Sequence, residues 1–130
     1  MMKKIIFIIL ITLFSCKTYS QDVLGQWYIV NYGEADTEVY SDVFWEFTSD
    51  GKCIWKLVDD NSIVFEFSYS ISHTTCDDGV NDTDLHLKLI NLDDGEKLCY
   101  VFSGITDESG RITMSINEYG KAEPLLFLKR

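Results

Sequence analysis

The chain has 130 residues, 46% of them hydrophobic, with one proline and a formal net charge of −10. Three of its 11 lysines and arginines (Lys3, Lys4 and Lys17) precede residue 20 and none of its 21 acids does, so the part after Ser20 carries −13. That charge repels phosphate backbones and anionic lipid surfaces, which argues against nucleic-acid binding and against direct membrane contact.

Lys3 and Lys4 precede a ten-residue stretch, 5–14, that is apolar but for Thr12 and too short to span a bilayer. Charge, a short apolar stretch and then small polar residues form the pattern of a secretory signal peptide. Two cleavage readings stand. In one, Leu13-Phe14-Ser15-Cys16 resembles a bacterial lipobox, residues 1–15 are the signal, and Cys16 is the lipidated first residue. In the other, cleavage after Thr18-Tyr19-Ser20 removes residues 1–20 and leaves Gln21 first, with one domain over 21–130. Both export the chain, to the periplasm, to the outer membrane by a lipid on Cys16, or beyond the cell. Membrane contact is expected only through that lipid.

After the signal, apolar residues alternate with period two and no segment holds a helical period. Strands are expected over residues 27–32, 43–48, 53–58, 63–71, 85–91, 97–103, 111–117 and 125–129. Residues 33–41 form a long connection with room for one helical turn, and 72–84 form a polar loop. Eight short strands with tight turns point to an antiparallel barrel or a sandwich.

Two hairpins fix a register. A three-residue turn, Ser49-Asp50-Gly51, pairs Phe47 with Cys53, Trp45 with Trp55 and Val43 with Leu57, all on the buried face. A two-residue turn would set Glu46 against Trp55 and mix the faces. Farther on, a two-residue Asp94-Gly95 turn pairs Leu89 with Tyr100 and Leu87 with Phe102. His86, Lys88, Ile90, Cys99 and Val101 then face outward.

Leu24-Gly25-Gln26-Trp27, the Asp50-Gly51 hairpin, Cys76, Leu85-His86-Leu87-Lys88-Leu89, Cys99-Tyr100 and the closing Leu126-Phe127-Leu128-Lys129 follow one another in an order that resembles small exported bacterial lipocalin-like domains. The resemblance covers nearly all of residues 23–130. It implies an eight-stranded up-and-down antiparallel β-barrel. It also implies a closed end built from Gly25 and Trp27, with Lys129 or Arg130 over the indole, a cation–π contact of about 0.5–2 kcal/mol.

Export favours disulfides. Cys53, Cys76 and Cys99 lie after the signal, and Cys53 alternates inward as a buried thiol. The resemblance implies Cys76–Cys99. The topology resists that pair, because the 72–84 loop would have to climb the outer face of the sheet, and Cys53–Cys76 stays open beside it. His73 and His86 read as isolated surface histidines, and the oxygen-rich run 77–84 as a polar turn, its glycine misplaced for a calcium loop. No catalytic or metal motif is present, so no enzyme, metal or cofactor is expected.

Two functions follow. One, which the resemblance to a binding family favours, is a monomeric carrier of a small apolar ligand, held near the open mouth by Tyr40, Trp45, Trp55, Leu57 and Tyr100. The other is an interaction or inhibitor module of the cell envelope with a filled core. Strands of about six residues and bulky inward side chains leave little interior space.

Overall fold

The computed structural model describes residues 22–32 and 37–130. Cys16, the expected signal and both expected cleavage points lie outside the described residues, as do residues 33–36. The fold is all-β. Its strands are β1 Gly25–Tyr32, β2 Glu38–Phe47, β3 Lys52–Leu57, β4 Ile63–Thr74, β5 Asn81–Asn91, β6 Lys97–Glu108, β7 Arg111–Glu118 and β8 Leu125–Lys129. Each pairs antiparallel with its chain neighbours, and β1 pairs with β8 to close the ring.

The β2–β3 register is the one the three-residue turn demands: Phe47 opposite Cys53, Trp45 opposite Trp55, Val43 opposite Leu57. Gly51 has φ +86°, and Thr48 N–H donates to the Lys52 carbonyl at 2.9 Å. The β5–β6 register is a correction. Leu87 lies opposite Tyr100 and Leu89 opposite Leu98, two residues from the expected pairing. The turn is longer than Asp94-Gly95 because Asn91 organises it. Its carbonyl accepts from Gly95 N–H at 2.9 Å and its side-chain oxygen from Asp93 N–H at 2.8 Å. A shift of two leaves every residue on its face, so the inward set survives.

Several strands outrun their apolar cores. β2 begins at Glu38 and takes in the end of the expected 33–41 connection, with no helical turn among residues 37–41. β4 runs to Thr74 and β5 starts at Asn81, so the polar loop shrinks to 75–80. β6 and β7 continue to a tight turn at Ser109 and Gly110, both with positive φ. Backbone pairing there needs no apolar face, and period-two hydrophobicity is blind to it.

The inward residues form one core: Trp27, Trp45, Phe47, Cys53, Phe67, Leu87, Leu89, Tyr100, Phe102, Met114, Ile116 and Phe127, with Val23 beneath. At about 1.5–3 kcal/mol for each large apolar side chain buried, this cluster dominates the favourable side of folding.

Candidate functional site

One end of the ring is sealed. Val23 is wholly buried, and its carbonyl accepts from the Trp27 indole N–H at 2.7 Å. Lys129 lies opposite Trp27 in the β1–β8 pair, with its Nζ 5.5 Å from the ring centroid. Gly25 allows that approach. A Cβ there would meet Lys129 Cε at 3.3 Å, and φ is +116°, where side chains are strained. Arg130 goes elsewhere. The pleat turns it outward, where its guanidinium lies 5.2 Å from the Tyr28 centroid.

The interior is packed with rings. Trp45 and Trp55 stack at 4.7 Å, Tyr100 meets Trp45 at 5.8 Å, and Phe67 lies 4.7 Å from Trp55. Burial, and then the Glu118 carboxylate, push the Tyr100 hydroxyl's pKa up. Burial also pushes the Cys53 thiol far above its ordinary range, so it is an inert thiol at neutral pH. The Trp55 indole nitrogen is buried, and only the Cys53 thiol beside it, a weak acceptor, answers it.

Of the five residues expected to line a pocket, Trp45, Trp55 and Tyr100 come together. Leu57 reaches the rim at the far end, 36% exposed and opposite Val43. Phe65, against Trp55 at 5.7 Å, is 44% exposed. Tyr40 is the correction. It lies inside β2 with the parity of Phe44, so it points outward and meets Tyr28 at 6.4 Å, edge to face. Reading residue 40 as part of a connection hid the alternation that places it.

Three cavities on the described residues are lined by side chains other than Trp45, Trp55, Leu57 and Tyr100. One, of about 330 Å³, crosses the outer face and is lined by Tyr28, Tyr40, Val58, Leu128, Lys129 and Arg130. The signal for it was in the sequence: Tyr28, Phe44 and Leu128 are large apolar residues at outward positions.

The disulfide is Cys76–Cys99, and Cys53 is free and buried. Closing a loop with a sequence separation of 23 is worth about 3 kcal/mol in the chain-entropy model. The 75–80 loop climbs the outer face to reach Cys99, and a polar chain holds it there. Lys97 Nζ donates to the Cys76 carbonyl at 2.9 Å. Cys76 N–H donates to the Tyr119 hydroxyl at 3.2 Å. That hydroxyl is hydrogen-bonded to His86 Nδ1, and because the Asp82 carboxylate can only accept, His86 Nε2–H donates to it at 2.7 Å. His86 is therefore not the solvated surface histidine expected: it faces outward but is 5% exposed under this loop. His73 is exposed, its Nδ1 2.9 Å from the Asp84 carbonyl. Asp78 is held below the usual carboxylate range by the Thr75 hydroxyl and then by Val80 N–H, so its oxygens serve the turn itself. Among the described residues no group of three His, Cys, Asp or Glu side chains is placed to hold a metal ion.

Compared with protein-family models, with curated proteins and with solved structures, the chain matches none.

Proposed function

We propose that the chain is an exported lipocalin-like domain that works as an interaction module of the cell envelope, with a filled barrel as its scaffold. The observation that carries the reading is the Trp45–Trp55 stack at 4.7 Å, which occupies the space where a carried ligand would lie. The arrangement of Gly25, Trp27 and Lys129 supports the lipocalin likeness. Partners would then meet the rim, where Leu57, Ile63 and Phe65 expose apolar surface.

The second reading is a small apolar ligand seated in the mouth. It is favoured by the Trp55 indole N–H, answered only by the weak acceptor Cys53, to which a ligand oxygen could supply a stronger one.

Trp55→Ala separates the two. In a filled module it costs about 3–5 kcal/mol of stability, and a panel of fatty acids and small aromatics leaves tryptophan fluorescence unchanged. In a carrier the panel changes the fluorescence, and the same substitution weakens binding by about 1–3 kcal/mol. Native mass spectrometry of protein from its own envelope, with a retained small molecule, would also favour the carrier. For location, Cys16→Ala releases the protein from the membrane fraction if the lipobox is used. A soluble wild type beginning at Gln21 sinks that reading.

A further inference from the structure

We propose that the outer-face groove over β8, β1 and β2 and just past the end of β3 binds a small aromatic carboxylate. The site is separate from the rim and does not rest on the module reading.

The groove follows from strand parity. Trp27 and Trp45 pair inward, so their neighbours Tyr28 and Phe44, which also pair, point outward together. Leu128 lies opposite Tyr28 on the other side. On a strand with one wet face these positions should be polar. Here they are rings and a leucine. Tyr28 stacks on Phe44 at 5.1 Å, and Tyr40 stands edge-on to Tyr28, at 90°. Tyr28, Tyr40, Leu128 and Val58 leave an apolar recess of about 330 Å³, at the small end of the range for ligand sites. With Phe44 stacked on Tyr28 and Arg130 over the same ring, a planar guest would set its own face against ring edges, an edge-to-face contact that favours an aromatic body over a flexible chain.

The charge decides the head group. The chain is strongly acidic, yet this recess carries a guanidinium. Arg130 Nη1 donates to the Tyr28 hydroxyl at 2.5 Å, which fixes the planar group beside the rings. One of its five N–H donors is used there. Among the described residues no carboxylate pairs with it. Glu38, which accepts from the Tyr40 hydroxyl, is already paired with Arg111. Lys129 Nζ is turned to Trp27. The cation left for a ligand is therefore Arg130, whose fork matches a carboxylate through two parallel hydrogen bonds.

The test is calorimetric titration of the folded domain with 2-naphthoate, and with 2-naphthylmethylamine as the same ring with the opposite charge. The naphthoate is expected to bind and the amine not to bind. Arg130→Gln is expected to weaken the naphthoate at least ~10-fold, since a charged hydrogen bond is at stake. Arg130→Lys should restore part of the affinity, as a point charge lacking the fork. Phe65→Ser, at the rim, should leave it unchanged. Thermal melts of each variant confirm that the fold is kept. No heat from naphthoate at millimolar concentration overturns the proposal, and so does equal affinity in Arg130→Gln. Loss of binding in Phe65→Ser would assign the ligand to the mouth and overturn it as well.

Discussion

The two ends of the ring are made of the same kinds of residue and treat them oppositely. At the Gly25 end, residues 22–24 fold across the opening, and Val23 and Trp27 lose all contact with water. At the far end, Leu57, Ile63 and Phe65 lie on or beside the strand face that carries Trp45 and Trp55, yet they remain partly in solvent. Alternation decides which way a side chain points. Whether it is buried depends on what crosses the opening. Two residues of equal apolarity thus differ in worth by how much surface each removes from water.

The comparison can be broken most sharply at Trp27. Trp27→Ala is expected to cost about 3–5 kcal/mol, measured by denaturant unfolding, because it empties a fully enclosed site. A loss below about 1 kcal/mol would mean the closed end is not the stronger one.

The interior between the ends gives an alkaline signature. The folded state raises the pKa of Cys53 above its ordinary 9.0 and that of Tyr100 above 10.0. Below pH 9.0 both states hold both protons. Above it the unfolded chain releases the Cys53 proton while the folded chain keeps it, so the native state binds more protons and stability falls as pH rises. The expected slope is about 1.4 kcal/mol per pH unit per group, with Tyr100 joining above pH 10.0. Unfolding midpoints measured from pH 8 to 11 check this. A flat profile would mean that water reaches the interior from the open end.

Lys129→Gln removes the cation over the Trp27 indole and is expected to cost about 0.5–2 kcal/mol. The matching change at the open end, Phe65→Ser, should cost less than about 1 kcal/mol, since the ring is already half in water. If the open-end change proved the larger, something besides solvent would be covering that rim.

Much of this was legible because one face of each strand is apolar. Trp45 opposite Trp55 follows from alternation plus the single glycine that fits the turn. The β5–β6 register differs by two from what Asp94-Gly95 implies because a side chain, Asn91, sets the turn, and Asp-Gly alone gives no hint of it. The outward placement of Tyr40 is hidden in the sequence because the polar residues around it conceal that β2 has already begun. The burial of His86 was out of reach, since a loop from elsewhere covers it, held by the Cys76–Cys99 bond and Tyr119. The outer groove was within reach: outward aromatics on paired strands are visible once the register is known.

The β1–β8 seam has a further consequence, for assembly. Trp27 and Lys129 are partners separated by a hundred residues of sequence. The other seven seams join neighbours in the chain and are closed by local hairpins. The first strand must therefore wait, one edge unpaired, until the last has been made and brought round. Bringing such distant segments together costs entropy that no earlier contact returns, so this seam should set the pace of folding. Until it shuts, β1 is an open template for another chain's strand. A polypeptide of this design stays incomplete until β8 has been made and brought round to β1.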